Sequence, residues 1–407
     1  MSDSHADVVV VGSSVGSARL VEALRKEDWG GSIQVITKEE TPFYNRPPLS
    51  KEFLLEDREV DSILLLDRAK QESLDLTVTT GVEAVGLDVA RRQVQTTNGL
   101  YTYGELVLAT GAAARPLPAL DGYTNVFQLR DVHDARRLRD ALKAARSAVV
   151  IGFGFIGCEF SSVALTLGVD VTVIDSSLKP YSHFGRYFSD ALTSMHRDEG
   201  AKLILGSTVT KVNGLERVES LELDSGEVIG GDLFVVAIGA TPATDWLKDS
   251  ALQIDDGVLC DARLHAGPHV HAIGDIARWP HPISGRLTRV EHWTNAVDQA
   301  ATVAHNIAYP AAQRAHAATP YFWSTQFGRS IQYLGFLDNF SAEAWLRSER
   351  GGIAAILGKD DRVRGVIGID AATVLMRARP LVAEGTSWSV GISRVSEIAE
   401  RAGFEWF

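Results

Sequence analysis

The chain has 407 residues, 45% of them hydrophobic, and a mean hydropathy near zero, which predicts a globular protein of two or three domains. Its formal net charge of −12 argues against nucleic-acid binding, which would require an excess of Lys and Arg. We see no basic, apolar leader and no apolar run of about 18 residues, so we expect a cytoplasmic protein that does not bind or span a membrane.

The first predicted element is a strand at residues 8–11 that leads through a glycine-containing turn into a helix at 18–26. A strand that ends in glycines before a helix presents backbone N–H groups and the positive helix end to a pyrophosphate. Serines replace the second and third glycines of the G-x-G-x-x-G pattern, and we expect their Cβ atoms to crowd the turn. An ordinary strand-to-helix connection is the alternative. The candidate binding residues of this turn are Gly12, Ser14, Gly16 and Ser17.

A second short strand is predicted at residues 33–37, which completes a β-α-β start. In such units a carboxylate beyond the second strand binds the ribose hydroxyls of a nucleotide. Glu39 is the candidate, although Lys38 and Glu40 beside it leave the assignment uncertain by one residue. A solvated charged loop is the alternative.

Residues 44–51 have the sequence Y-N-R-P-P-L-S-K. Two consecutive prolines restrict the backbone and remove hydrogen-bond donors, so we predict a rigid loop rather than a helix or strand. Farther along, one predicted strand ends in Ala109-Thr110-Gly111, and another ends in Ile238-Gly239. We interpret these small-residue endings as crossings between domains.

The second glycine turn, with Gly152, Gly154 and Gly157, has the complete G-x-G-x-x-G spacing between a strand and a helix. The next strand ends at Asp175, 18 residues after Gly157, where a ribose-binding carboxylate is expected. A carboxylate there repels a 2′-phosphate, and serines rather than arginines follow it. We therefore predict NADH rather than NADPH as the coenzyme, and Lys179 is the nearby cation that would oppose this preference.

The two cysteines, Cys158 and Cys260, are about a hundred residues apart and form neither a C-x-x-C redox pair nor a metal-ligand cluster. We expect no metal site. Cys158 follows Gly157 at a helix N-terminus, which can activate a thiol, but a small buried packing residue is the favoured interpretation.

The last third of the chain contains a strand that ends at Gly274-Asp275 and an amphipathic helix predicted at residues 293–308 after His292. From about residue 319 a smaller α/β domain is predicted. It has strands at 330–335 and 365–369 and a helix at 371–379.

Six motifs, in this order, resemble those of the FAD- and NADH-dependent ferredoxin reductases that serve Rieske dioxygenases and bacterial cytochromes P450. This family is part of the glutathione-reductase-like superfamily, and the resemblance covers almost the whole chain. The motifs are R-P-P-L-S-K at 46–51, A-T-G at 109–111, G-x-G-x-x-G-C-E at 152–159, G-D at 274–275, H-W-x-N at 292–295 with Gln299, and P-Y-F-W-S at 320–324.

The resemblance implies an α/β fold with two Rossmann-like, three-layer dinucleotide-binding domains and a smaller C-terminal α/β domain. The FAD-binding domain would comprise residues 1–114 and 242–318, and the NADH-binding domain residues 115–241. Residues 319–407 would form the C-terminal domain, which would serve dimerisation or partner contact.

The resemblance also implies roles for single residues. The Gly12 turn would border the FAD pyrophosphate, with Glu39 on the adenosine ribose and Asp275 on the ribityl chain. Lys51 and Glu159 would form a catalytic ion pair beside the flavin N5, although Glu159 also suits a helix N-terminus for electrostatic reasons. Trp293 would lie at the pyrimidine end of the flavin, with a core aromatic as the alternative. The further implied cofactor contacts are Arg46, Pro47, Ala109, Thr110, Gly111, Gly152, Gly154, Ile156, Gly157, Asp175, Ile238, Gly239, Gly274 and His292.

The implied enzyme takes a hydride from NADH onto non-covalent FAD and passes electrons one at a time to a [2Fe–2S] ferredoxin that feeds an oxygenase. The chain would be a monomer or a homodimer. Thr325 replaces an Asp that is usual in the family, which leaves the partner's identity open. An acidic ferredoxin would dock on arginines, unless these are merely scattered over a solvated face. The candidates are Arg278, Arg286, Arg289, Arg329, Arg377 and Arg379.

Two other functions share the fold. An NADH-dependent flavin oxidase or peroxidase would need a redox cysteine in the segment 41–50, which has none, although diaphorase activity could still occur. A flavoprotein with a binding role, as among relatives of the apoptosis-inducing factor, would favour a basic surface, which the net charge of −12 opposes.

Overall fold

The computed structural model describes residues 4–337 and 340–407. The chain divides into two compact units, each assembled from separated segments. The first unit comprises Met1–Asn45, Glu59–Ala113 and Thr241–Pro320, and the second comprises Arg46–Arg58, Ala114–Ala240 and Tyr321–Phe407. The boundaries expected for three domains stay a prediction. Within the described part of the chain, no helix has both the length and the apolar character needed to cross a membrane.

The first unit is built on a largely parallel sheet. Its central strand, Ser4–Val11, pairs in parallel with Ile33–Ile36 on one side and with Gly99–Leu108 on the other. Leu76–Thr79 and Val270–Ala272 continue the sheet outward in parallel. Consecutive valines of the central strand are fully buried, so both faces of the sheet are covered, as is usual for parallel sheets.

Two long helices of the first unit, Val15–Lys26 and Trp293–Ala308, bury their apolar sides in the core of this sheet. The shorter helical segments are Val60–Ile63, Arg68–Ser73, Asp245–Leu247 and Gly274–Ile276. The remaining strands are Ala84–Asp88, Gln93–Thr96, Val258–Leu259, His265–Gly267, Ala277–His281 and Arg286–Arg289. Ala112–Ala114 and Ala240–Pro242 are short strands where the chain crosses between the units.

The second unit contains a five-stranded parallel sheet. Its spatial order is Lys202–Leu205, Asp170–Asp175, Ser147–Ile151, Leu233–Val236 and Val126–Phe127. A three-stranded antiparallel sheet follows in the order Val209–Asn213, Ser220–Leu223 and Val228–Gly230. The helices of this part are Val132–Ala144, Phe155–Thr166 and Arg186–Asp198, with short turns at Pro118–Leu120 and Ser182–Phe184.

The C-terminal part of the second unit is a six-stranded antiparallel sheet. Its order is Tyr321–Gln326, Arg329–Gly335, Arg362–Ile369, Ile353–Lys359, Ala342–Ser348 and Phe404–Trp406. Two helices, Ala372–Ala383 and Trp388–Ala402, pack against this sheet through a shared apolar cluster.

The prediction for residues 44–51 was wrong in part. Pro47–Ser50 forms a 3-10 helix, and Glu52–Leu55 continues as one turn of α-helix. Proline suits the first helical position because its missing N–H has no intrahelical partner there. Elsewhere the first helix begins at Val15 rather than at residue 18, and the second strand ends at Ile36.

Candidate functional site

The first glycine turn lies where two parallel strands of the first unit end side by side. Gly12 has φ +108°, and a Cβ atom on it would lie 2.3 Å from the Ala109 carbonyl oxygen. Only glycine fits this position, because both the conformation and the space exclude a side chain. Thr110 and Gly111, which are also predicted cofactor contacts, follow Ala109 in the chain. The Thr110 hydroxyl donates to the Ala243 carbonyl at 3.1 Å, and Gly111 has φ +66°.

The two serines of this turn do not disturb it. Ser14 is the N-cap residue of the Val15–Lys26 helix and has extended backbone angles that suit any residue. Ser17 is fully buried, and its hydroxyl donates to the Gly12 carbonyl oxygen at 2.7 Å. The expected crowding by the Ser17 Cβ atom is therefore wrong, because the structure accommodates the side chain and gains a hydrogen bond. Gly16 faces Ile273, whose Cδ1 would be 3.3 Å from an added Cβ.

Of the three charged candidates after the second strand, Glu39 is half-buried, whereas Lys38 and Glu40 are exposed. The Tyr44 hydroxyl donates to the Glu39 carboxylate, and the Glu39 N–H donates to the Thr37 hydroxyl at 3.2 Å. These contacts orient Glu39 toward the body of the first unit. They favour it over its neighbours as a ribose-binding residue.

Gly274 and Asp275 lie in a 3-10 turn next to the Trp293–Ala308 helix. The Gly274 N–H donates to the Gln299 side-chain oxygen at 2.7 Å, and the Asp275 carbonyl accepts from Arg289 at 3.2 Å. Added Cβ atoms on Gly16 and on Gly274 would both come within 3.7 Å of the Ala296 methyl group. The structure therefore brings the first turn and the Gly274 turn together around Ala296, which the sequence did not single out.

The start of the same helix holds the predicted His292 and Trp293. Burial lowers the pKa of His292 to about 3, so its imidazole is neutral near neutral pH. The Trp293 indole N–H donates to the Asn45 side-chain oxygen at 2.9 Å. This bond fixes the ring orientation. Asn45 was not proposed as a site residue.

Lys51 and Glu159 form a buried ion pair in the second unit. Lys51 Nζ lies 2.7 Å from Glu159 Oε2, and the two side chains are 15% and 4% exposed. The ammonium also donates to the Pro47 carbonyl at 3.2 Å. Glu159 accepts further hydrogen bonds from the Ser50 hydroxyl and, at 2.6 Å, from the Ser324 hydroxyl. These two serines lie within the family motifs, but no role was predicted for them.

Two other predicted residues near this ion pair contact the backbone. The Arg46 guanidinium donates to the Arg130 carbonyl oxygen at 2.6 Å. Pro47 begins the short helix that carries Ser50 and supplies the carbonyl bonded by Lys51. Pro47 thus contacts the ion pair through its carbonyl, and Arg46 precedes it in the chain.

The three glycines of the second turn differ in how much space they leave for a side chain. Gly152 has φ +106°, and an added Cβ would lie 2.4 Å from the Ala237 carbonyl oxygen. At Gly157 an added Cβ would lie 2.2 Å from the Gly152 carbonyl oxygen, but at Gly154 the nearest atom is 3.7 Å away. The fold itself therefore requires glycine at 152 and 157. The absence of a side chain at 154 leaves room for a ligand.

Asp175 anchors this turn. One carboxylate oxygen accepts from the Phe153 N–H at 2.7 Å, and the other accepts from the Ser177 N–H at 2.7 Å. Ile156, in the first turn of the following helix, is 43% exposed. Gly239 follows Ile238 with φ +98°, and its carbonyl accepts from the Arg115 N–H at 2.9 Å.

Both turns fit a nucleotide pyrophosphate. Each leads into a helix N-terminus whose cap residue makes no side-chain hydrogen bond to the first helical turn. The first backbone N–H groups of a helix have no intrahelical partner and attract anions. Each turn also precedes a strand with a carboxylate at or just beyond its end, Asp175 or Glu39.

The structure also bears on the predictions about the cysteines, metal binding and the docking arginines. Burial raises the pKa of the Cys158 thiol, as expected for a packing residue. Among the described residues, no group of His, Cys, Asp and Glu side chains is arranged to hold a metal ion. Among the candidate docking arginines, Arg278 forms an ion pair with Asp255, Arg289 with Asp256 and Glu291, and Arg329 with Asp370.

Residues 6–300 match the family described as pyridine nucleotide-disulphide oxidoreductase, and residues 321–392 match the family described as reductase C-terminal. The chain belongs to the pyridine nucleotide-disulphide oxidoreductase family. It is 33% identical to the rubredoxin-NAD(+) reductase of Ectopseudomonas oleovorans, over 82% of this chain and 87% of that protein. It is 30% identical to the 3-phenylpropionate/cinnamic acid dioxygenase ferredoxin–NAD(+) reductase component of Photorhabdus laumondii subsp. laumondii, over 94% of this chain and 98% of that protein.

A solved structure of a ferredoxin reductase from Rhodopseudomonas palustris is 26% identical in sequence, with a TM-score of 0.90. The similarity covers 98% of this chain and 100% of that one. These findings confirm the predicted family resemblance, the α/β fold class and the oxidoreductase activity. Membership of the family implies a flavin and NAD(H) as the cofactors.

Proposed function

We propose that the chain is an NADH-dependent ferredoxin reductase that binds FAD non-covalently and passes electrons one at a time to a [2Fe–2S] ferredoxin serving an oxygenase. The observation that carries the proposal is the occurrence, in each of the two units, of a glycine turn with a carboxylate at or just beyond the end of the next strand. Two such sites would accommodate two different nucleotides in one chain.

The first unit would hold FAD. The N–H groups after Gly12 and the helix N-terminus at Val15 would bind the pyrophosphate, and Glu39 would accept hydrogen bonds from the adenosine ribose. Asp275 would bind the ribityl hydroxyls. When bound, the flavin supplies the ability to accept a hydride and to release electrons singly.

The second unit would hold NADH. The space beside Gly154 would admit the pyrophosphate, and Asp175 would bind the adenosine ribose while disfavouring a 2′-phosphate by charge repulsion. Because the Asp175 carboxylate is fixed by two backbone N–H groups, it cannot easily turn away from such a phosphate. This restraint supports a preference for NADH.

Lys51 and Glu159 would act on the charge of the flavin. A reduced flavin carries negative charge, which a nearby ammonium stabilises most effectively where water is excluded. Glu159 holds the Lys51 ammonium in one position, so little reorganisation is needed during hydride transfer. Apart from this ion pair, catalysis would consist of orienting the two nucleotides and excluding water.

The electron acceptor is testable with purified protein that carries its flavin. We expect NADH-dependent reduction of at least one [2Fe–2S] ferredoxin from a panel, at a rate well above oxygen consumption without acceptor. Rubredoxin is the second acceptor to test, because one 33% identical relative is a rubredoxin-NAD(+) reductase. Faster reduction of rubredoxin than of every ferredoxin would overturn the proposed partner. Rapid oxygen consumption that no iron–sulfur acceptor suppresses would instead indicate an oxidase.

A further inference from the structure

A line of buried hydrogen bonds extends from Glu159 to His196 within the second unit. The Ser324 hydroxyl donates to Glu159 Oε1 at 2.6 Å, and Gln326 Nε2 donates to Ser324 Oγ at 3.1 Å. Gln326 Oε1 in turn lies 3.0 Å from His196 Nε2. Ser324, Gln326 and His196 are each at most 1% exposed, so water does not compete for these bonds.

The local structure explains why these side chains meet. Ser324 and Gln326 are two residues apart on the Tyr321–Gln326 strand and therefore point to the same face of the sheet. His196 lies in the Arg186–Asp198 helix, and its ring is packed edge-on against Phe153 and Phe327 at centroid distances of 4.9 and 5.0 Å. The aromatic contacts leave the imidazole little freedom to rotate.

Only one direction of hydrogen bonding satisfies the whole line. A serine hydroxyl has a single proton, so Ser324 donates to Glu159 only if its oxygen accepts from the Gln326 amide. The Gln326 carbonyl oxygen then faces His196 and requires a donor there. His196 must therefore carry its proton on Nε2.

The opposite direction is unfavourable. A Gln326 amide turned by 180° would draw the Ser324 proton away from Glu159 and would place its NH₂ group against His196 Nε2. The imidazole proton would then lie on Nδ1, which has no hydrogen-bond partner among the described residues. A buried N–H donor without a partner is costlier than a buried lone pair.

We propose that Ser324, Gln326 and His196 are positioning residues that fix the Glu159 carboxylate, and through it the Lys51 ammonium, for hydride transfer to the flavin. The inference rests on the proposed function for its effect on the reaction. Ser50 and Lys51 bond to Glu159 Oε2, whereas Ser324 is the donor to Oε1, so both carboxylate oxygens are held. Because hydrogen bonds to a buried charge are among the stronger ones, loss of the Ser324 bond should slow the reaction.

The first test measures the His196 proton directly and does not depend on electron transfer. In ¹⁵N-histidine NMR spectra of the wild-type protein, His196 should be neutral and protonated on Nε2. In the Gln326→Met variant, which removes the acceptor, the Nε2 proton should lose its hydrogen bond, and its ¹H chemical shift should move upfield. A wild-type His196 protonated on Nδ1 would overturn the proposal.

The second test uses stopped-flow reduction of the bound flavin by NADH. Ser324→Ala should lower the limiting rate roughly tenfold, and Gln326→Met about threefold, with little change in NADH affinity. Ser324→Thr keeps the hydroxyl and should restore the rate. Thr325→Ala, an exposed neighbour on the same strand, is the matched control and should behave as wild type.

The outcomes separate this inference from the proposed function. Wild-type limiting rates in both Ser324→Ala and Gln326→Met would overturn the positioning role, even with NADH-dependent flavin reduction intact. If the wild-type flavin is not reduced by NADH at all, the proposed function fails, and the NMR result alone decides the direction of the hydrogen bonds. Should Ser324→Ala not fold, Gln326→Met and the wild-type NMR spectrum still decide.

Discussion

Gly154 and Gly157 of the second turn should respond in opposite ways to alanine. At Gly157 an added Cβ would lie 2.2 Å from the backbone oxygen of Gly152, so the helix and the turn would have to separate. A carbon and a carbonyl oxygen approach to about 3.3 Å at closest, so the shift needed is on the order of 1 Å. Overpacking of this kind costs about 1–3 kcal/mol.

At Gly154 the same change is sterically easy. The nearest atom to an added Cβ is 3.7 Å away, and φ −76° with ψ 174° is ordinary for alanine. Gly154→Ala should leave the free energy of unfolding unchanged or raise it by up to about 1 kcal/mol, because the unfolded chain loses freedom. The methyl group would occupy the space assigned to the pyrophosphate, so NADH affinity should fall about tenfold, or about 1.4 kcal/mol.

The assay pairs thermal unfolding with NADH titration of both variants and the wild type. Gly157→Ala should unfold at a clearly lower temperature, whereas Gly154→Ala should unfold as wild type but bind NADH weakly. Gly30→Ala is a matched control, because an added Cβ there meets no atom within 4 Å. Wild-type NADH affinity in Gly154→Ala would refute the assignment of this turn to the coenzyme. Equal destabilisation by both changes would refute the steric reasoning.

Three further predictions concern charge. Asp175→Ser removes the repulsion of a 2′-phosphate, so kcat/KM for NADH divided by kcat/KM for NADPH should fall about tenfold or more. An unchanged ratio would show that the discrimination lies elsewhere. Lys51→Met removes the counter-charge of Glu159, which is 4% exposed, so the urea midpoint should fall by the equivalent of about 3 kcal/mol. Adding Glu159→Gln should recover most of this loss. A double variant no more stable than Lys51→Met would contradict this account. Burial lowers the pKa of His196 from 6.5 to about 4, so the unfolded state binds a proton at a higher pH than the folded state does. The free energy of unfolding should therefore fall by about 3 kcal/mol as the pH falls from 6.5 toward 4. His196→Gln should reduce the decline in urea midpoint between about pH 7 and about pH 4.5, and an equally steep decline would argue against this origin.

The nucleotide turns could be predicted from the sequence because their signals are local. A strand, spaced glycines and a helix lie within twenty residues, and the carboxylates Glu39 and Asp175 follow at a spacing set by one β-α-β unit. The helix at Trp293–Ala308 was predicted with its correct bounds because its apolar periodicity is continuous.

The missed features depend on partners that are distant in the chain. Phe404–Trp406 is a strand of three residues that exists because Ala342–Ser348 offers its edge, and no local pattern indicates that pairing. His196 and Gln326 are 130 residues apart, and neither lies in a glycine turn or a charged pair. The Ser17 hydrogen bond was missed for a different reason, because the pattern of glycines describes crowding but not the bond that a serine can form in its place.

The most direct measurement is an anaerobic titration of the purified, flavin-containing protein with NADH, followed by flavin absorbance. The account predicts a yellow protein that releases FAD on denaturation, is bleached by about one equivalent of NADH per flavin, and is bleached far more slowly by NADPH. A protein that stays colourless after reconstitution with FAD, or a bound flavin that NADH does not bleach, would contradict the two-nucleotide account.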